Sequence, residues 1–368
     1  MIARTDRLQV LLVVMLAALG VMAVFSAHAD WVRQVVWVLL GGAVYVAATF
    51  HDYRRLRALA PALYAGMLLM LVAVHLVGHT ALGARRWLSV AGFPLEPSEL
   101  SKLVLVIVLA AYLSRTERMS WRVFAGALAL FAAPAGLVLT QPDLGTTLVL
   151  VAVTFGVLFL AGARPAQLAS LVAAGALALP LLPYFLRGYQ RRRLEIFLDP
   201  SQDPLGAGYN LLQARIAVGS GGLFGQGWLH GLQGQLGFVP ERATDFVFAT
   251  FAEEFGLLGS LVLLTLFGTL LIRALRSATL SSDRFGELLA GGTFVMVFVQ
   301  VVENVGMNIG LLPIAGIPLP LISYGGSATV TTLAALGLVQ SVMVRRRVVV
   351  HQERGIPPLG TITRRAQA

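Results

Sequence analysis

The sequence predicts an all-α, polytopic integral membrane protein with about ten transmembrane helices. Hydrophobic residues make up 57% of the 368 positions and charged residues only 12%. Soluble domains carry about twice that charged fraction, roughly a quarter of their residues. The spacing agrees, because apolar stretches of about 20 residues, the length that spans a bilayer, alternate with short arginine-rich breaks. A soluble helix is seldom apolar on all faces over such a length.

The apolar stretches define the predicted spans. They lie at about 8–27, 31–50, 59–78, 98–114, 122–140, 144–162, 166–186, 245–272, 285–311 and 322–344. The first stretch follows two arginines, as a signal peptide would, but it is longer than a signal core and a second apolar run follows at once. We therefore expect it to be a span. The chain has no cysteine, which excludes disulfides and thiolate metal sites.

The distribution of arginine predicts the orientation. An even number of spans places both termini on one side, and the short segments on that side are basic, as at 54–57 and 345–347. The short loops on the other side hold little beyond Arg85 and Arg86. The positive-inside rule therefore places both termini in the cytoplasm. We expect the basic C-terminal tail to contact anionic lipid headgroups, and no nucleic acid, despite the net charge of +10.

One long segment, at about 187–244, interrupts the regular alternation of spans and short loops, and it lies on the outer face. Its aromatic and aliphatic residues are too numerous for a flexible tether, so we expect it to pack on the membrane surface within a single membrane-embedded domain, 1–368. Three further loops on that face, Gly78–Pro97, Gln141–Gly145 and Leu311–Gly326, are rich in proline, glycine or polar residues. Irregular backbone near membrane depth needs burial in protein or an aqueous cavity. The functional site is therefore expected on the outer face.

Charged residues inside spans are costly, so each one needs a reason. Glu99 and Lys102 are three residues apart at the start of one span and can form an ion pair, either for function or to stabilise packing alone. On a later span Glu303, Asn304 and Asn308 form a polar face, for which interhelical hydrogen bonding is the preferred explanation.

Asp245 lies where the long segment re-enters the membrane. By position alone, an ordinary helix cap by Asp245 or Thr244 is the favoured explanation, and a catalytic carboxylate is the alternative. The arginines on the outer face are not expected from the positive-inside rule, and their planar guanidinium groups are suited to binding phosphate. An anionic, membrane-anchored substrate with a diphosphate would explain this group, which comprises Arg85, Arg86, Arg191, Arg192, Arg193, Arg215 and Arg242.

Five motifs, in the same order along the chain, carry a resemblance to a known family. They are Gly83–Trp87 with Phe93 and Pro97–Lys102; Gln141–Thr146; Phe197–Pro200 with Asp203–Tyr209; Gly219–Gly222 through Pro240–Arg242 to Thr244–Phe246; and Leu312–Pro313 through Pro318–Pro320 to Ser323–Ser327. The chain resembles the SEDS peptidoglycan glycosyltransferases. The version Pro318–Leu321 is similar to the RodA branch, which serves cell elongation and rod shape.

The resemblance implies a polymerase that builds β-1,4 glycan strands from lipid II by an inverting mechanism. It implies a bacterial inner-membrane location, an extracytoplasmic active site, and a class B penicillin-binding protein and other elongation-complex proteins as partners. The aspartate matching Asp245 is the residue that the family requires, which reverses the preference for a cap. The expected substrate-binding residues are Arg85, Arg86, Glu99, Lys102, Gln141, Asp143, Arg242, Ser323 and Ser327.

The chemistry is consistent with one carboxylate. Displacement of an α-linked diphosphate by a sugar 4-hydroxyl inverts the anomeric carbon once, as in inverting glycosidases with the hydroxyl in place of water. Diphosphate is a good leaving group, so a base plus arginines suffices. No definite cofactor is implied, with a divalent cation, Mg²⁺ or Mn²⁺, as the candidate.

Two departures and two alternatives accompany the resemblance. Gln226 stands where many members have lysine, and Ala243 replaces a histidine often found before the aspartate. A cationic contact at Gln226 is therefore in doubt, and that histidine cannot be essential in this chain. The alternative functions are a lipid II flippase or other transporter, and a non-catalytic scaffold for a penicillin-binding protein.

Overall fold

The computed structural model describes residues 4–81, 84–90, 93–178, 188–199, 201, 203 and 206–346. In chain order its helices are α1 Arg7–Ser26, α2 Trp31–Phe50, α3 Arg54–Val77, α4 Pro97–Leu113, α5 Trp121–Thr140, α6 Leu144–Leu160, α7 Pro165–Ala178, α8 Gly188–Leu198, α9 Ala207–Ser220, α10 Leu232–Gln235, α11 Val247–Thr279, α12 Arg284–Asn308 and α13 Gly326–Val344. Within the described residues, seven of these helices are long and apolar enough to cross a membrane.

Each of the ten predicted spans is occupied by a helix. Seven of these helices are the long ones named above, and the other three are shorter. Helices α4 and α6 have 17 residues each, and the described part of α7 has 14. The last eight positions of the predicted 166–186 span, 179–186, lie outside the described residues. Helix α3 begins five residues before its predicted start, because the basic turn at Arg54 is already helical.

Helix α4 is the centre of the bundle. Nearly its whole length is buried, and it packs against α3, α5, α6, α12 and α13. Large aliphatic side chains on the outer helices are exposed instead, including Leu39 at 68%, Leu69 at 70% and Leu76 at 75%. A helical bundle with an apolar exterior is expected for a protein whose solvent is hydrocarbon, so the fold is that of a multi-pass membrane protein.

A small antiparallel sheet covers one end of the bundle, and the sequence analysis did not predict it. It consists of β1 His79–Ala81, β2 Ala84–Val90 and β3 Phe93–Leu95, with β2 in the middle. The sheet connects α3 to α4 and lies against both helices. The end of the bundle that carries this sheet and the 188–246 segment is called the loop face below.

The 188–246 segment packs into the protein. In helix α9, Leu211, Ala214 and Ala217 are fully buried in a cluster with Phe246 and Ala249 of the following chain. This burial agrees with the expectation that the segment is not a tether.

Helix α11 is interrupted at Gly256, whose φ of 66° and ψ of −165° are not helical. The glycine-rich chain before α10 satisfies the backbone groups that this interruption frees. Gln226 N donates to Glu253 O at 2.9 Å, and Leu257 N donates to Gly222 O at 2.9 Å. A side chain at Gly256 would collide with the backbone of Gly225, so the close approach requires glycine.

Candidate functional site

The backbone around Asp245 is held by three side chains. Ser323 Oγ donates to Thr244 O at 2.6 Å, while Asn304 Nδ2 and Asn308 Nδ2 donate to Asp245 O at 2.9 and 3.1 Å. The predicted interhelical hydrogen bond is confirmed for Asn308, which also accepts from Ala249 N of α11, whereas Asn304 binds the carbonyls of Asp245 and Ile317 in the connecting loops. Because these hydrogen bonds hold the backbone at Asp245, they also fix the position from which its side chain extends.

The positional expectation that Asp245 or Thr244 caps a helix was wrong. Helix α11 begins at Val247, its cap position is Phe246, and no side-chain hydrogen bond is made there. Instead, Asn308 Oδ1 accepts from Ala249 N at 3.1 Å and satisfies one of the unpaired amides of the first turn. Because a residue of α12 does this, the carboxylate of Asp245 is not used as a cap.

The Asp245 carboxyl lies just outside the membrane-spanning helix and is partly buried. Burial raises its pKa from 3.8 to about 6, the carboxylates of Glu241 and Asp143 act in the same direction, and Arg193 and Arg86 oppose the rise. A carboxyl with a pKa near 6 is ionised at neutral pH, yet it is a stronger base than an ordinary aspartate. That combination suits proton abstraction from a hydroxyl group.

Arg86 connects the sheet to the start of α6. Its Nε donates to Gln141 O at 3.3 Å, another nitrogen donates to Pro142 O, and Nη1 lies 3.8 Å from Asp143 Oδ1. Asp143 itself caps α6 by accepting from Thr146 N at 3.1 Å. The structure thus brings the predicted residues Arg86, Gln141 and Asp143 together, and the charges of Arg86 and Asp143 act on the Asp245 carboxyl. The neighbouring predicted residue Arg85 lies in β2, where its backbone pairs with Thr80 of β1.

The predicted ion pair between Glu99 and Lys102 is present. Lys102 Nζ lies 2.7 Å from Glu99 Oε1, and both side chains are at least 95% buried. The charge of Lys102 also acts on Glu303 of α12 and on Glu96, which precedes α4. Burial and the nearby carboxylates, first of all that of Glu99, raise the pKa of Glu96 to about 8. Carboxyl groups therefore outnumber the lysine in this cluster.

The remaining predicted site residues bind backbone atoms. Arg242 Nε donates to Ala27 O at 2.9 Å, and its Nη1 donates to Gly234 O. Ser327 Oγ accepts from Glu96 N at 2.9 Å. These contacts, like that of Ser323, order the loops around the site, and substrate contact by Arg242 or the two serines stays a prediction.

The two departures from the family pattern have structural roles. Gln226 Oε1 accepts from Leu232 N at 3.2 Å, which closes the loop before α10. The carbonyl of Ala243 accepts from Tyr324 N at 2.7 Å. Neither position places a cationic side chain near Asp245.

A residue that the sequence analysis did not include among the predicted site residues lies beside Asp245. Arg193 Nη1 of α8 donates to Ile314 O at 3.2 Å. The Cβ that an alanine would place at Gly316 would be 3.2 Å from Asp245 Oδ2 and 3.5 Å from Arg193 Nη1. The sequence places Arg193 only within the group of outer-face arginines, because nothing distinguishes it from the two arginines that precede it.

An apolar groove of about 770 Å³ lies between α5, α6, α7 and α12. The described residues that line it are almost entirely aliphatic and aromatic, and Glu303 is the one charged residue among them. Glu303 Oε2 is buried and without a hydrogen-bond partner. Among the described residues no group of three or more His, Asp or Glu side chains could hold a metal ion. A Mg²⁺ ion here would take most of its ligands from a diphosphate and water.

Comparison with known proteins places this geometry in a family. The model of the cell cycle protein family of FtsW, RodA and SpoVE matches residues 3–348. The chain belongs to this FtsW/RodA/SpoVE family. Peptidoglycan glycosyltransferase MrdB of Escherichia coli K12 is 39% identical over 348 residues, covering 93% of this chain and 94% of MrdB. Peptidoglycan glycosyltransferase RodA of Treponema pallidum is 30% identical over 424 residues, covering 93% of this chain and 98% of RodA.

Solved structures share the fold. A chain from a peptidoglycan synthase complex that coordinates polymerization and crosslinking matches with a TM-score of 0.82 and 36% identity, covering 92% of this chain and 97% of that chain. RodA of Thermus thermophilus matches with a TM-score of 0.70 and 35% identity, covering 93% and 97%. The resemblance stated from the motifs, and its RodA branch, are thereby confirmed.

Proposed function

We propose that this chain is a peptidoglycan glycosyltransferase that polymerises lipid II into β-1,4 glycan strands for cell-wall elongation and rod shape, with Asp245 as the general base. The observation that carries the proposal is the Asp245 carboxylate, which is positioned through its backbone by Asn304 and Asn308 and is not used as a helix cap. Relatives named peptidoglycan glycosyltransferase match more than nine-tenths of the chain and support the same assignment.

The proposed reaction is one displacement. The acceptor 4-hydroxyl loses its proton to Asp245 as its oxygen forms a bond to the anomeric carbon of the donor. The bond from that carbon to the diphosphate breaks, and the electron pair leaves with the diphosphate. One inversion converts an α-linked donor to a β link. Arg86, within electrostatic reach of Asp245, supplies positive charge near the departing group.

The placement of the polar residues favours an enzyme over a transporter. Asp245, Asp143 and Glu96 each immediately precede a helix or its first turn at the loop face. A transporter would be expected to place its site near the bilayer midplane on broken helices of an internal repeat. A scaffold would not need a base with a pKa near 6. The apolar groove beside Glu303 offers a place for the lipid chain of the substrate.

The proposal includes an orientation and a partner. The loop face is extracytoplasmic and both termini are cytoplasmic, as the arginine distribution predicts. The membrane is the bacterial inner membrane, as the family resemblance implies. A class B penicillin-binding protein acts as the partner transpeptidase, together with other elongation-complex proteins. The similarity to a chain from a peptidoglycan synthase complex supports this partner.

The test is polymerisation of lipid II by purified protein, alone and with its transpeptidase. Asp245→Asn keeps the size of the side chain but cannot accept the proton, so we expect the rate to fall by about 10²–10⁴-fold. Glu241→Gln is the matched control, because it removes a nearby exposed carboxylate and should retain most of the activity. Near wild-type polymerisation by a folded Asp245→Asn variant would rule out the proposed base. Lipid translocation by a wild-type protein that forms no glycan would favour the transporter.

A further inference from the structure

The structure distinguishes three arginines that are equivalent in sequence. Arg191 pairs with Glu195 of the same helix at 2.9 Å, and Arg192 pairs with Asp203 at 3.2 Å. Both side chains are 61% exposed. Arg193 is instead partly buried and turned toward the bundle, where Nη1 donates to Ile314 O at 3.2 Å.

Arg193 and Asp245 border the same small space. The chain at Gly316 has a φ of 73° and carries no side chain, and a methyl group there would lie within 3.5 Å of both Asp245 Oδ2 and Arg193 Nη1. Among the positive groups that act on the Asp245 carboxyl, Arg193 has the larger effect and Arg86 the smaller. A side chain at position 316 would therefore crowd both the Asp245 carboxylate and the Arg193 guanidinium, and glycine leaves this small space free.

Arg242 and Arg215, two other arginines of the outer-face group, also donate to backbone carbonyls, but in other parts of the fold. Arg242 donates to the carbonyls of Ala27 and Gly234 and fastens the 231–242 chain to the end of α1. Arg215 Nη2 donates to Gly310 O at 3.0 Å, at the end of α12. Neither appears among the charges that act most strongly on Asp245, whereas Arg193 comes first among the cations.

We propose that Arg193 is a catalytic residue that contacts the departing diphosphate of the lipid-linked donor, beside the Asp245 carboxylate that borders the same small space. The inference rests on the proposed function and adds to Arg86 a second cation that receives the leaving charge. As the bond between the anomeric carbon and the diphosphate oxygen breaks, its electron pair remains on that oxygen, while the hydroxyl proton goes to Asp245. A guanidinium binds the resulting phosphate oxygens with two parallel N–H donors. The hydrogen bond to Ile314 fixes the direction of the fork before substrate arrives.

The experiment compares variants of adjacent arginines in lipid II polymerisation by the full chain. Arg193→Gln should lower kcat by about 10²–10³-fold, the usual loss for one preorganised donor to a developing negative charge. Arg191→Gln, the matched control on the same helix, should stay within about twofold of wild type, as expected for an exposed pair. Arg193→Lys keeps the charge but not the fork, so its activity should fall between the two.

The pH profile separates a catalytic role from a structural one. Arg193 opposes the rise in the pKa of Asp245, so Arg193→Gln should move the acid limb of the kcat/KM profile to higher pH. A purely structural role, through the bond to Ile314, predicts a lower Tm with an unmoved acid limb, and that result would overturn the proposal. So would equal losses in Arg193→Gln and Arg191→Gln. If Arg193→Gln does not fold, wild-type kcat in a folded Arg193→Lys variant would refute the need for the fork.

Asp245→Asn in the same assay keeps the two proposals separate. An inactive Asp245→Asn beside a fully active Arg193→Gln would refute only the role of Arg193. An active Asp245→Asn would refute the proposed function itself, whatever the arginine variants show.

Discussion

Replacing Lys102 by methionine should be among the most damaging single changes at the site. The Lys102 side chain is 1% exposed and its ammonium lies 2.7 Å from Glu99. The same charge acts on Glu303 and on Glu96. Lys102→Met preserves chain length and apolar contact, so its effect reports the loss of charge and not of volume.

The expected loss of unfolding free energy follows from the number of carboxyl groups around the lysine. Breaking a buried ion pair by removing one partner typically costs about 3–5 kcal/mol, because a buried charge is left uncompensated. Lys102→Met leaves Glu99 and Glu303 both without their cation. In Glu99→Gln, Glu303 still lies near Lys102. The loss of unfolding free energy should therefore be smaller, about 1–3 kcal/mol, which is typical of an unsatisfied buried polar group. The lysine variant should therefore be the less stable of the two.

The assay is a double-mutant cycle on detergent-purified protein, with unfolding free energy and lipid II polymerisation measured for each variant. Glu99→Gln combined with Lys102→Met should cost less than the sum of the single changes, by about 0.5–3 kcal/mol. Arg284 and Glu287 supply the control, since they have the same spacing and a distance of 2.6 Å but are about 40% exposed. Their cycle should give a coupling of at most about 1 kcal/mol. Additive losses at Glu99 and Lys102, or a milder effect for Lys102→Met than for Glu99→Gln, would refute the reasoning.

Two further predictions concern pH and orientation. The pKa of Asp245 is about 6 in the folded protein against 3.8 as its ordinary value, so the folded state holds the proton more tightly and the carboxyl costs stability as pH rises through that interval. Wild-type activity should therefore fall when the pH is lowered below about 6. At pH 8 the Tm of Asp245→Asn should equal or exceed that of wild type, and a lower Tm would contradict the raised pKa. A cysteine at Gln202, which lies outside the described residues, or at the adjacent exposed Ser201, should react with an impermeant maleimide in intact spheroplasts. Labelling only after lysis would reverse the proposed orientation.

Features with a strong local signal were predictable. The spans could be found because a bilayer demands about 20 apolar residues wherever the chain crosses it. The ion pair of Glu99 and Lys102 could be found because residues three apart share a helix face. The asparagines of α12 could be assigned to interhelical bonds, since a polar face inside a span needs partners. Their target, the backbone of Asp245, is separated from them by about 60 positions and has no sequence signature.

Features set by contacts between distant segments were not predictable. The kink at Gly256 depends on the chain at 222–227, which supplies the donors and acceptors that the helix gives up. The three-stranded sheet is too short for its alternation to stand out from a loop. Arg193 is indistinguishable from Arg191 until α8 is placed against the chain at Gly316. In each case the deciding partner is far away along the sequence.

The contrast between Asp143 and Asp245 shows what makes a carboxylate available for chemistry. Both lie near the N-terminus of a membrane helix at the loop face, where the helix dipole favours negative charge. Asp143 caps its own helix through Thr146 N, so its charge is committed to structure. Beside Asp245 the first turn is capped from another helix by Asn308, which also binds the Asp245 carbonyl. Asn308→Ala should therefore slow polymerisation even though Asn308 touches no reacting atom. The backbone of Asp245, the proposed base, would lose a hydrogen bond that positions it, and the first turn of α11 would lose its side-chain acceptor.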